Sequence, residues 1–61
     1  MANLTTKELS ALEDQLSMEQ LLIKKYKMVA SMATDQEIKT KCDQIANKHQ
    51  EHFNRLMSHL N

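Results

Sequence analysis

An alternating three- and four-residue spacing of apolar side chains runs through both halves of this chain. That spacing keeps side chains on one face of an α-helix, so each half predicts one amphipathic helix. Gly and Pro are both absent from the 61 residues, so neither half contains a residue that would break its helix. The first stripe consists of Leu9, Leu12, Leu16, Glu19, Ile23, Tyr26 and Ala30. The second stripe consists of Ile38, Cys42, Ile45, His49, His52, Leu56 and His59.

Capping signals indicate where the two helices begin. Thr5 and Glu8 have the Thr-x-x-Glu form of a capping box, in which each side chain satisfies a free backbone N–H. The first helix should therefore run from about residue 6 to about 32. The same spacing recurs at Thr34 and Glu37. It predicts a second helix over about 35–59.

The connection between the helices is short, and a short connection makes neighbouring helices antiparallel. Asp35 is as good an N-cap as Thr34 for the second helix. We therefore expect one all-α domain over residues 1–61, an antiparallel helical hairpin. Because the turn contains no Gly or Pro, one long uninterrupted helix per chain is the alternative.

Reversal near Thr34 would pair the two stripes member by member. The three pairs that matter most are Glu19 with His49, Leu16 with His52, and Tyr26 with Cys42. A carboxylate, two imidazoles and a phenol would then lie near the middle of a hydrophobic interior. Since a buried polar group without a partner costs about 1–3 kcal/mol, this layer needs a structural or functional reason.

Size and composition exclude several classes of protein. Eight basic and eight acidic residues cancel, which argues against a nucleic-acid partner, and the Lys24, Lys25 and Lys27 cluster is interpreted as a solvated helix face. Without Gly there is no phosphate-binding loop, and no nucleophile motif is present, so we expect no enzyme and no catalytic residues. No apolar run approaches membrane-spanning length, and we expect a soluble protein that is cytoplasmic at synthesis.

A chain this short needs support beyond its own core, because it buries only about 60% of its unfolded surface. The single cysteine, Cys42, excludes an internal disulfide and is expected to be a small core residue. A second apolar set flanks the stripes and would face water in a monomer. It consists of Met18, Leu22, Val29, Met32, Ala46, Phe53, Met57 and Leu60. We therefore expect a homodimer in which two hairpins form a four-helix bundle.

The residues Glu19, His49 and His52 form a candidate metal site. Carboxylate oxygen and imidazole nitrogen are ligands that Zn, Fe and Cu accept, and His49 and His52 at positions i and i+3 share a helical face. The alternative is a polar layer in which Glu19 is hydrogen-bonded to His49 and Tyr26 and fixes the register of the helices. His59, near the end of the helix, is expected to be exposed.

These features resemble the ferritin-like superfamily and, more narrowly, the short coat protein F-like spore coat proteins of spore-forming Firmicutes. The resemblance covers nearly the whole chain. It is carried by segments 9–16, 31–35 and 49–53. It implies a ferritin-like four-helix bundle, a place in the spore coat and other coat proteins as partners.

Members of the superfamily that bind two irons use a Glu from one helix and Glu-x-x-His from the next. Matched by position, Glu19 is the first carboxylate and His52 the histidine, but His49 stands at the second carboxylate. In a dimer the site would carry a charge of −2 where the di-iron pattern supplies −4. A single ion, or none, is therefore expected.

Together these patterns predict a non-enzymatic structural protein of the spore coat that forms a homodimeric bundle. The spore role follows from the resemblance alone. The alternative is a small metal-binding or redox protein that uses the Glu/His site. An adaptor that recruits a protein partner is a third hypothesis, although no distinctive surface patch points to it.

Overall fold

The computed structural model describes residues 3–60. It consists of two α-helices, α1 (Thr6–Met32) and α2 (Gln36–Met57), followed by a short 3₁₀ turn over Ser58–Leu60. The helices pack against each other as an antiparallel hairpin that measures 46 × 15 × 11 Å. Within this part of the chain, no helix is long and apolar enough to cross a membrane.

A capping box begins α1. The backbone N–H of Glu8 donates to the Thr5 hydroxyl at 3.1 Å, and the backbone N–H of Thr5 donates to Glu8 Oε1 at 2.9 Å. The backbone N–H of Thr5 lowers the pKa of the Glu8 carboxyl most, and the Thr5 hydroxyl lowers it further. The box therefore works as the sequence predicts.

The chain reverses at residues 33–35, which excludes the straight-rod alternative. Ala33 leaves the helix in an extended conformation, and Asp35 caps α2 by accepting from the N–H groups of Glu37 and Ile38 at 2.8 and 3.2 Å. Lys39 then donates from Nζ to the carbonyl oxygen of Ala30 at 2.9 Å. This bond places a cation at the negative end of α1, where the helix dipole favours it.

Small residues of α2 pack most deeply between the helices. Ala46 is 1% exposed, and Cys42 is buried as predicted. Leu16, Ile23 and Ala30 are the buried apolar residues of α1. The prediction that Ala46 faces water in a single hairpin is therefore wrong: a side chain without a γ-carbon permits close approach of the two backbones.

Burial of Ala46 means that α2 is rotated about its own axis relative to the prediction. Part of the predicted apolar stripe of α2 therefore faces outward. Ile38 is 50% exposed and Ile45 is 37% exposed, although both were expected to face α1. Leu9, at the start of the first stripe, is also exposed. The helix interface thus follows Cys42, Ala46 and His49, one position away from Ile45.

Candidate metal centre

Glu19 lies at the middle of α1 and is the one buried charged residue within the described part of the chain. The residue is only 5% exposed, yet both oxygens of its carboxylate have partners. Gln15, one helical turn earlier, donates from Nε2 to Oε2 at 2.9 Å. His49 of α2 lies with Nδ1 2.6 Å from Oε1. The predicted pairing of Glu19 with His49 is confirmed.

The pKa of Glu19 reflects competition between burial and these partners. Burial raises the pKa, but the hydrogen bonds from Gln15 and His49 and the charges of His49 and His52 lower it more. The net effect holds the pKa below its ordinary value of 4.5. Glu19 is therefore ionised at neutral pH, and the His49 ring nitrogen beside it is the donor of their hydrogen bond.

Tyr26 supports His49 from α1. The two rings are stacked, with centroids 6.0 Å apart and an angle of 16° between the planes. Tyr26 was predicted opposite Cys42 and, in the polar-layer alternative, hydrogen-bonded to Glu19. The contact that the structure gives is an aromatic one with His49, which restrains the orientation of the imidazole that donates to Glu19.

His52 completes the group but is held less firmly. Its Nδ1 lies 3.8 Å from Glu19 Oε2, beyond hydrogen-bond length, and its side chain is 51% exposed. Its ring meets His49 edge to face at 6.0 Å between centroids. His52, predicted opposite Leu16, thus lies beside Glu19 and remains open to solvent.

One ligand atom from each of Glu19, His49 and His52 lies within 4.8 Å of the other two. Carboxylate oxygen and imidazole nitrogen bind Zn²⁺ at about 2.0–2.2 Å, so donors of one ion lie about 3–4 Å apart. All three residues predicted as ligands therefore come together in the folded chain. Two imidazoles and one carboxylate also leave coordination positions open.

A cleft of about 200 Å³ adjoins the group on the side of His52. Besides Glu19 and His52 it is lined by Gln15, Arg55, Leu56 and His59. His59 is exposed, as predicted, and also lines this cleft. The open positions of a bound ion would face this cleft.

Gln15 is the hydrogen-bond partner of Glu19 that the sequence patterns do not single out. It lies outside the apolar stripe, and a Gln four residues before a Glu is common on exposed helices. Its spacing could have indicated this role, because an amide four residues before a carboxylate on a helix can donate a hydrogen bond to it. Its hydrogen bond means that Oε2 of Glu19 stays satisfied without a metal. In residues 3–60, no buried side-chain nitrogen or oxygen lacks a hydrogen-bond partner.

Fold and site together define a small antiparallel helical hairpin with a Glu/His cluster at mid-height. Over 57 residues, the chain is 32% identical to the uncharacterized protein YuzM of Bacillus subtilis (strain 168). This match covers 93% of the chain and 70% of YuzM, so the chain belongs to the same family as YuzM. No protein-family model and no solved structure matches the chain.

Proposed function

We propose that the chain is a non-enzymatic structural protein whose hairpins associate in pairs as a four-helix bundle. The observation that carries this proposal is an exposed apolar surface on one side of the hairpin. This open face consists of Met18, Leu22 and Val29 of α1 with Ile38 and Ile45 of α2. All of these residues are exposed except Leu22, which is partly covered.

Helical periodicity places these residues on one side. Leu22 follows Gln15 by seven residues, and Ile45 precedes His52 by seven, so each pair shares a side of its helix. Gln15 and His52 line the same cleft. The open face is therefore continuous with the Glu/His cluster. It lies on the side of the cluster nearer the turn, whereas Arg55 lies on the side nearer the end of α2.

The opposite side of the hairpin is polar. Gln20 and Lys27 lie there on α1, again seven residues apart, and Asp43 and Gln50 lie there on α2. Exposed large apolar residues also occur here, at Leu9 and Met57, but they lie at the ends of the helices, whereas those of the open face are contiguous. The open face is therefore the side that we expect a second hairpin to cover.

The surface area agrees with this assignment. The chain exposes 4849 Å² at a mass of 7.1 kDa. A compact monomer of that mass exposes about 4,080 Å². The excess is roughly 770 Å², close to the ~800 Å² that each partner buries in a standard interface. The elongated shape of the hairpin accounts for this excess and leaves room along its side for a second copy.

Substitution on the two sides of α2 tests the proposed dimer. Ile45→Glu places a charge on the open face, whereas Asn47→Glu places the same charge on an exposed position two residues away. We expect Ile45→Glu to elute as a monomer in size-exclusion chromatography and Asn47→Glu to elute as the unmodified chain does. Equal elution of both variants would argue against the open face as the interface.

The ferritin-like bundle and the place in the spore coat are the finer parts of this proposal, and the sequence resemblance supports them. Other coat proteins would then be partners of the dimer. The test is fractionation of spores and vegetative cells with an antibody against the chain. We expect the protein in the insoluble spore layers, and protein found only in soluble vegetative extracts would contradict the proposal.

A second candidate function, binding of a transition-metal ion such as Zn, Fe or Cu, is favoured by the convergence of Glu19, His49 and His52. Elemental analysis of protein purified without an affinity tag or chelator tests it. We expect metal in the unmodified chain and none after His49→Ala combined with His52→Ala. Metal-free protein whose melting temperature is unchanged by added ions would reject it.

A further inference from the structure

The position of Glu19 along its helix bears on what a dimer would bring together. Thirteen residues of α1 precede it and thirteen follow it, so it lies at the helix midpoint. The open face extends from the height of Met18 toward the turn, so a two-fold axis perpendicular to the helices at Glu19 would not set one open face against the other. A two-fold axis parallel to the hairpin covers both open faces along their whole length and places the two Glu19 residues at one height.

The atoms of the cluster divide into two roles. Oε1 of Glu19 is occupied by the 2.6 Å hydrogen bond from His49, a distance shorter than the roughly 3.3 Å between two donors of one tetrahedral ion. Oε2 of Glu19 and Nδ1 of His52 are 3.8 Å apart, which small side-chain rotations would bring to that value. His52 is also the member that is exposed on the open side.

Charge limits how many ions the shared interior can hold. Two Glu19 carboxylates carry −2 in a dimer, and neutral imidazoles add nothing, so one divalent ion cancels the charge of the carboxylates. The Arg55 side chains that line the same cleft add positive charge, which disfavours a second ion. Two ions would leave +2 in a low-dielectric interior, which is costly without further anions.

We propose that one divalent transition-metal ion binds per dimer, at the two-fold axis, between Glu19 and His52 of each copy. Four donors of the N₂O₂ type then surround the ion in the tetrahedral arrangement that zinc prefers. His49 is a positioning residue that holds Glu19 through its Nδ1–H, and Tyr26 holds the His49 ring. This inference rests on the proposed dimer and on the proposed metal binding. It adds the number of ions per dimer, the role of each ligand, and a thermodynamic link between metal binding and dimerisation.

The link follows from mass action. An ion that needs ligands from both copies binds the dimer and not the monomer, so it stabilises the dimer. With free Zn²⁺ at 100 times its dissociation constant, the dimer dissociation constant should fall about a hundredfold. Zinc titration by calorimetry and sedimentation equilibrium, both on the untagged full-length chain stripped of metal, measure the two quantities.

We expect 0.5 zinc ions per chain and zinc-dependent tightening of the dimer. His52→Ala should abolish both effects. His59→Ala is the matched control, because His59 lies seven residues along the same side and lines the same cleft. His49→Gln should weaken zinc binding about 10- to 100-fold while the ratio stays at 0.5, as expected for a residue that orients a ligand.

Other results would overturn the inference and would also separate it from the proposals beneath it. One zinc per chain would leave metal binding standing but remove the shared site. A dimer that binds no zinc would leave only the structural proposal. Zinc bound equally well by the Ile45→Glu monomer would show that no second copy is needed.

Discussion

The Nδ1 atom of His49 lies 2.6 Å from Oε1 of Glu19, thirty residues earlier in the chain. It is the polar contact between the two helices that is most deeply buried, and it fixes their relative height. Neither partner can be removed without leaving the other in an environment with little water. The pair therefore links the register of the hairpin to the candidate metal site.

Removal of His49 alone should destabilise the fold. His49→Ala takes away a charge-assisted donor from a buried carboxylate, and we expect the free energy of unfolding to fall by about 1.5–3 kcal/mol. Urea denaturation followed by circular dichroism measures the change. The double variant Glu19→Leu with His49→Leu should recover much of the loss, since an apolar pair needs no partner. A His49→Ala chain as stable as the original would show that the contact contributes nothing.

Stability should depend on pH through Glu19. Its pKa is lowered in the folded chain, so its contribution to stability is complete above the ordinary value of 4.5 and is lost as pH falls through the folded pKa. Thermal unfolding between pH 7 and pH 2 should show this loss. Glu8, whose pKa is lowered in the same direction, acts in the same acidic range. The comparison with Glu19→Gln isolates Glu19: that variant should have a flatter acid limb, and an unchanged limb would contradict the assignment.

Substitutions at the adjacent residues Ala46 and Ile45 should have different effects, because Ala46 is packed between the helices and Ile45 is exposed. Ala46→Leu forces three extra carbons between the helices and should cost about 1–3 kcal/mol of stability in the hairpin. Ile45→Ala removes carbons from an exposed position and should affect association more than folding. Urea denaturation of both variants in a background made monomeric at another open-face position, by Val29→Glu, isolates the fold. If Ala46→Leu is tolerated there, the helices do not approach as closely as described.

The two N-caps lie at opposite ends of the hairpin fold and act independently. Thr5→Ala and Asp35→Ala should each lower the free energy of unfolding by about 1 kcal/mol, because each frees backbone N–H groups of a helix start. The two costs should add, since the caps belong to different helices and share no hydrogen-bond partner. Chemical denaturation of the single and double variants measures this. A double variant no worse than one single variant would indicate that one cap is dispensable.

Sequence alone was sufficient for the features that depend on local signals. The Thr5–Glu8 capping box and unbroken periodicity predict α1, and reversal near Thr34 places Glu19 at the height of His49. The rotation of α2 about its own axis was not predictable in this way. Ile45 and Ala46 are adjacent, and both belong to apolar stripes of helical period, so periodicity cannot choose between them.

The choice depends on tertiary packing. Ala46 allows the backbones to approach, whereas Ile45 in the same place would hold them apart, and Ile45 can be buried by a second copy. The hydrogen bond from Gln15 was missed for a related reason. Whether a helix-surface amide reaches a carboxylate depends on how deeply the opposing helix buries that carboxylate.

A hairpin that covers its open face with a second copy of itself has twice the mass of one chain. Sedimentation equilibrium of the untagged 61-residue chain at micromolar concentration measures that mass. We expect a value close to twice the 7.1 kDa of one chain. A single species at 7.1 kDa across that range, with and without added zinc, would contradict it.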